Sequence, residues 1–555
     1  MTAFTAEAMS TLDSQAAALL ADLASLQATS VTASTLDEWL RTYSTIKGEC
    51  QTFWITHYAA TKRDTTDEQG QAAYHRLMSH WMPQIEAFDA PLAQKALDAD
   101  EGDLNPNIAL KLKADLTGQA SERLRELLAE ERLLSTQYDV ITAGRRVYLG
   151  GEELLMQQAR TRLGVATTSS EREAIWKAME QATLAATPEL DALFLDLLRI
   201  RREIAAEAGK ANYAEYIWDH SVRAFTMAEA VQMLDDIAEV FADLTTQVDR
   251  DRAVQLGIDE LRPWDVEAKV VPAADATLPV KDYISLAERV MDGIDPEFGN
   301  VVRHLRAENR FDLEPRPGKS GTNMVLHSMA TSSSEIVCSL AGGALAFGTV
   351  LHELGHTIHF HYLDSNPKTT YWDRDGFMEI LEFFASVFTD LGRFEQLSAF
   401  SLSKSDQRWY KWSLAENILA ILRLVDQDFR IESWVYQKPS KLSTEDLDTH
   451  YLELYNRSSV NWTGHKDTLK KKWQNQFIFM YSFYNIEYAM ADIAALLFSK
   501  SYQDDPVGAA KRLKKAMQVG ATSGSKAVLA EVDIQFPFSR KQIIEARDVL
   551  ANWLA

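Results

Sequence analysis

Cysteine is nearly absent from this chain: Cys50 and Cys338 are the only two among 555 residues. So far apart in so long a sequence, they make no disulfide framework. A lone pair cannot furnish a metal site, so both read as core thiols of a protein in a reducing compartment. Proline is sparse, at 14 residues, and no low-complexity linker or internal repeat divides the chain. No window approaches the ~18 or more uncharged apolar residues that a membrane-spanning helix requires. Positive charge is short as well. The formal net charge of −23 argues against a nucleic-acid partner, because phosphates demand clustered Lys and Arg. The one basic run, Lys470-Lys471-Lys472, reads as a solvated helix face. The first 28 residues hold no basic residue but include Glu7, Asp13 and Asp22. They lack the basic-then-apolar order of a secretory signal and read as an amphipathic helix. Without such a signal, the glycosylation-type tripeptides at Asn456 and Asn461 read as chance matches. A cytoplasmic protein that binds neither membrane nor nucleic acid is expected.

What is present is the balance of an ordinary globular protein, 46% hydrophobic and 25% charged, enough to bury a large core. Apolar positions recur at three- and four-residue intervals through residues 12–26, 121–135, 171–209 and 227–256, the periodicity of helices with one buried face. The pattern breaks between about Gly257 and Gly343. There Pro263, Pro272, Pro279, Pro296, Pro315 and Pro317 cluster, and residues 323–340 have the Thr, Ser and Val content of short strands. Helical patterning resumes near Ala344 and is interrupted at Gly464 and at 520–524. The expectation is a mainly α fold with a small β element just before residue 344. Residues 1–165 read as an N-terminal helical region and 166–555 as a helical body whose catalytic part spans about 300–500.

The chemistry concentrates in His352-Glu353-Leu354-Gly355-His356. On a helix, residues four apart share a face, so both imidazoles reach one ion. Glu353 points about a quarter turn aside, where its carboxylate can hold an attacking water. A catalytic zinc needs three protein ligands and an open position, so a third ligand must come from elsewhere. A third histidine on the short metzincin spacing is missing, since His359 and Tyr362 occupy the matching positions. Residues 377–391 form an apolar stretch interrupted by Glu379 and Glu382. Two carboxylates in so hydrophobic a helix are costly to bury unless they meet a cation. Three apart, they share a face, so one can ligate the metal while the other holds a histidine in place.

Several stretches in order resemble the M3 family of metallopeptidases, the thimet oligopeptidase and oligoendopeptidase F group, from about Glu171 onward. They are the His352–His359 segment; Glu379-Ile380-Leu381-Glu382-Phe383-Phe384-Ala385; Pro263-Trp264-Asp265; Arg316-Pro317-Gly318-Lys319; and Ser482-Phe483-Tyr484-Asn485-Ile486-Glu487-Tyr488-Ala489. The resemblance implies a large helical, two-lobed metallopeptidase fold with a deep central channel. It implies one Zn2+ per chain, held by His352, His356 and Glu382, with Glu379 and His359 as candidates for supporting those ligands. It also implies endopeptidase action on short, unstructured peptides. Glu353 matches the catalytic base. Tyr484 and Tyr488 match tyrosines near the substrate, whose hydroxyls can donate to a developing oxyanion. Tyr481 reads as a packed core aromatic. One departure stands out: the family usually carries a histidine shortly before the tyrosines. Residues 473–480 contain none, Phe477 is the nearest equivalent, and His465 lies upstream. That departure motivates a competing reading, a zinc-containing peptide-binding protein with weak or lost catalysis.

Overall fold

The computed structural model describes residues 6–118, 121–221, 223–268, 270, 278–316, 318–340, 342–374, 378–399, 404–438, 441–455 and 459–555. Helices dominate them, and two hydrophobic cores organise them. The first core is built by Ala6–Ala28 and Leu36–Arg63 together with Asp89–Ala99 and Pro106–Gly118. Leu12, Ala16, Leu19 and Leu23 line one stripe of the first helix; Trp39, Tyr43, Ile46, Cys50 and Phe53 line one stripe of the second. This is the three-to-four spacing that buries a single helix face. The same core includes Trp372, from far along the chain. Tyr371 and Trp372 are fastened to it: the Tyr371 N–H donates to Ser44 Oγ at 2.6 Å, and Lys111 Nζ donates to the Trp372 carbonyl at 3.0 Å.

The second, larger core begins at Leu124 and runs to Leu554. Glu122–Ala143 packs on the 39-residue helix Ser169–Glu207. Between them lies a hairpin, Arg146–Leu149 with Glu152–Leu155. Its turn uses Gly150 and Gly151 at φ of 59° and 87°, the left-handed pair that a two-residue hairpin loop requires. The periodic stretch 227–256 divides into Met227–Val240 and Ala242–Leu256 at Phe241. The first of these starts with a reciprocal cap: Thr226 N–H donates to Glu229 at 2.7 Å, and Glu229 N–H to Thr226 Oγ1 at 3.2 Å. Arg172 and Asp265 form a salt bridge at 2.8 Å with both side chains 1% exposed, tying the long helix to the Pro263–Asp265 turn.

The expected β element is a three-stranded sheet. Ser333–Val337 is its centre, parallel to Phe311–Asp312 on one side and antiparallel to Met324–Ser328 on the other. The N-terminal helices reach it directly. Gln51 Nε2 donates to the His327 carbonyl at 2.9 Å, Thr52 and Ser328 hydroxyls meet at 3.1 Å, and Arg63 pairs with Glu335. Immediately after the sheet comes Phe347–Asp364, and then Met378–Ala399, which packs between it and Ile486–Asp504. Phe383, Phe384 and Phe388 of the middle helix are at most 1% exposed, each burial contributing on the order of 1.5–3 kcal/mol. No described helix is long and apolar enough to cross a membrane. Cys50 and Cys338 are free, buried thiols.

The basic run departs from expectation. Residues 470–472 form a turn, not a helix face. Lys471 is buried, with Nζ 2.8 Å from Asp191 and 3.0 Å from Asp448. Asn456 and its two following residues lie outside the described residues, as does Pro317.

Candidate metal centre

His352 and His356 lie one turn apart in Phe347–Asp364, their ring centroids 4.8 Å apart. Between them sits Gly355, where a Cβ would lie 2.6 Å from Ala385 Cα and 2.9 Å from the Phe384 carbonyl oxygen. The missing side chain lets Met378–Ala399 close in at that point. Glu382 Oε2 thereby comes within 3.5 Å of His352 Nε2 and 4.0 Å of His356 Nε2. One ligand atom from each residue falls within 4.8 Å of the others. Tetrahedral ligation at about 2.0–2.1 Å sets such atoms roughly 3.3 Å apart, so a small dication fits with little adjustment.

The electrostatics of the three residues agree with that geometry. Glu382 is 3% exposed, and its Oε2 has no hydrogen-bond partner. Such an orphaned buried oxygen is costly unless a cation meets it. Burial pushes this carboxyl up to about 7, partly opposed by the Tyr484 hydroxyl, which donates to Oε1 at 2.5 Å. Burial, helped by Arg393, pulls His352 down to about 4; burial and the neighbouring histidines hold His356 well below its ordinary value. Both imidazoles are therefore neutral, with lone pairs free for a metal.

Glu353 is 5% exposed and takes a backbone hydrogen bond from Val325 of the edge strand. Burial and the Glu382 charge push its carboxyl up to about 8. A dication beside Glu382 offsets the second cause. Tyr484 and Tyr488 meet at 5.6 Å between centroids, at the start of Ile486–Asp504. The charges of both Glu382 and Glu353 act on the Tyr488 hydroxyl. Phe477, at the position lacking the histidine, stands 6.0 Å from the Tyr488 ring.

The other sequence candidates lie as follows. His359 is buried against Phe384, 4.3 Å between centroids, and neither ring nitrogen has a hydrogen-bond partner. The Glu379 side chain lies outside the described residues. His465 is spent elsewhere: it pairs with Glu180 at 3.2 Å and packs edge-on against Trp176 and Trp264. Tyr481, expected in the core, is 40% exposed, where it caps the C-terminus of Gln476–Met480. A cavity of about 670 Å³, lined by Thr357, His361 and Asp364 among others, opens against a different face of the His-Glu helix from the ligands. Sequence reading missed the buried charges around the tyrosine segment, notably Arg223, Asp428 and Glu432. The one signal, for Asp428 and Glu432, was acidic residues recurring in the largely apolar face of Lys404–Gln437.

A family model described as peptidase family M3 matches residues 166–547, the span that carries every residue of this centre. The chain belongs to peptidase family M3. The enzyme class follows: this M3 peptidase is a metalloendopeptidase. Its fold is similar to that of a PZ peptidase A solved with an inhibitor, at a TM-score of 0.87 and 17% identity, covering 98% of this chain and 97% of that one. It is also similar to a chain assigned as oligoendopeptidase F, at TM-score 0.86 and 16% identity, covering 98% and 96%. Another so assigned, from Bacillus anthracis, has a TM-score of 0.81 and 17% identity, again covering 98% and 96%. At these identities the likeness establishes the fold alone. No curated protein matches the sequence.

Proposed function

We propose that this M3 peptidase is a cytoplasmic, zinc-dependent endopeptidase that hydrolyses internal bonds of short, unstructured peptides. The observation that carries the reading is the convergence of His352, His356 and the unpartnered Glu382 Oε2 beside a buried Glu353. The names of two similar structures, oligoendopeptidases F, support the substrate class, and the free thiols fit a reducing compartment.

His352, His356 and Glu382 would hold one zinc ion per chain, which would supply Lewis-acid chemistry for water and for a peptide carbonyl. Glu353 takes the proton of the attacking water and passes it to the leaving amine. Its burial raises its affinity for that proton into the range useful at neutral pH. Tyr488, near both carboxylates, donates to the oxygen on which negative charge develops. Tyr484, whose hydroxyl is committed to Glu382, orients that ligand.

The test is cleavage of an internally quenched peptide of about ten residues with both ends blocked. It is run with and without a chelator, then with zinc restored, alongside Glu353→Gln. Chelator-sensitive internal cleavage, lost by ~10²-fold or more in a Glu353→Gln protein that still holds zinc, is the expected result. A zinc-loaded wild type that binds the peptide without cutting it would replace this reading with a peptide-binding role.

A further inference from the structure

Tyr484 reaches Glu382 from a backbone held in an unusual shape. The preceding residue, Phe483, has φ of 59°, a conformation that bulky L-residues rarely adopt. Its ring is buried, 1% exposed, so the strain is not relieved by moving outward. Instead, both peptide groups of Phe483 are gripped by buried ionisable side chains. Its N–H donates to Glu432 Oε2 at 2.8 Å, and its carbonyl accepts from Arg223 Nη2 at 2.9 Å. Arg223 also donates from Nε to Glu487 at 2.8 Å, with the two side chains 4% and 1% exposed. Its guanidinium lies 4.4 Å from the centre of the Trp218 ring.

The grip extends along the segment. Asp428, one turn before Glu432 on Lys404–Gln437, accepts from Asn475 at 2.9 Å and from Asn485 at 2.6 Å. Arg201 donates to the Ile478 and Phe479 carbonyls at 2.8 and 2.6 Å. Arg223 Nη1 remains without a hydrogen-bond partner. A loop that merely needed its backbone satisfied could use water or neutral side chains. Burying ionisable side chains is costly, and here the cost falls beside a tyrosine bonded to a candidate metal ligand.

We infer that Glu432 and Arg223 are positioning residues of the metal centre, acting through the Phe483 backbone to set the Tyr484 hydroxyl against Glu382. This rests on the reading of His352, His356 and Glu382 as the zinc ligands. It assigns a role to two residues that touch neither metal nor substrate.

The experiment measures zinc dissociation by chelator competition on the holoenzyme, together with kcat and KM, for five proteins and the wild type. Glu432→Leu removes the acceptor, Glu432→Gln keeps one, Arg223→Lys loses the forked grip, Tyr484→Phe removes the hydroxyl, and a double variant joins Glu432→Leu to Tyr484→Phe. Expected are zinc dissociation constants raised ~10-fold or more in Glu432→Leu, Arg223→Lys and Tyr484→Phe. The double variant should be no weaker than Tyr484→Phe alone, and Glu432→Gln should remain close to wild type. Multiplying effects in the double variant would show that Glu432 acts independently of Tyr484 and overturn the inference. Should Glu432→Leu not fold, Arg223→Lys combined with Tyr484→Phe gives the same discrimination. A wild type that binds zinc and cleaves no peptide sinks the functional reading but leaves the zinc series decisive. A cleaving wild type whose zinc affinity and kcat are matched by Glu432→Leu sinks the positioning inference alone.

Discussion

Gly355 and Ala385 stand so close that a β-carbon on the first would lie 2.6 Å from the α-carbon of the second. The obstacle is backbone, which cannot swing aside as a flexible side chain could. Gly355→Ala therefore has to push Met378–Ala399 away from the His-Glu helix, and Glu382 moves with it. Overpacking of this kind costs about 1–3 kcal/mol. The variant is expected to lower the melting temperature and to lose zinc at chelator concentrations that the wild type withstands. Unchanged zinc retention would show that the helices can separate without opening the ligand set.

The two tyrosines are expected to fail in different ways. Tyr484 donates to Glu382, so Tyr484→Phe should weaken zinc binding. Tyr488→Phe should leave zinc in place and lower kcat by ~10²–10³, the loss typical of one oxyanion donor. Metal titration alongside steady-state kinetics separates them, and equal zinc loss in both variants would contradict the division.

Glu432 carries a pH signature. Burial, with Asp428 nearby, pushes its carboxyl up to about 8, whereas an unfolded glutamate titrates near about 4.3. The folded chain thus holds this proton more tightly. Its contribution to stability is complete below the unfolded value and is lost as pH rises through about 8. Glu432→Gln removes that loss while keeping an acceptor for the Phe483 N–H. Thermal unfolding at pH 5 and pH 8.5 should show the variant gaining on the wild type at the higher pH. A difference independent of pH would mean that Glu432 is ionised throughout.

Arg172 is 0% exposed and meets Asp265 through Nε at 2.9 Å. Asp265→Ala strands a guanidinium in the core, at an expected cost of about 3–5 kcal/mol. A melting temperature within a degree of wild type would show that water or another carboxylate reaches Arg172.

The helices were legible because each carries its own periodic record, as Leu12 to Leu23 and Trp39 to Phe53 show. The histidine pair was legible because its partners lie within one helical turn. Glu382 stood out as a carboxylate in an apolar helix, but choosing it over Glu379 depended on family resemblance. Long-range pairings left no comparable trace. Lys471 looked solvated because its partner Asp191 is 280 residues away. Glu432 and Arg223 are separated from Phe483 by 51 and 260 residues, and a left-handed phenylalanine has no compositional signal at all. Tyr481 was misplaced for a related reason: beyond the end of Gln476–Met480 no helical period says which ring stays at the surface.

The chain between the two ligand-bearing helices passes through Tyr371–Arg374, and Trp372 is embedded in the other core, 5.5 Å from the ring of Tyr43. The N-terminal helices are thus a mooring rather than a cap. They fix the midpoint of the only stretch of backbone that runs directly from His356 to Glu382. Removing them would delete no metal ligand, yet would leave the span between those two ligands slack.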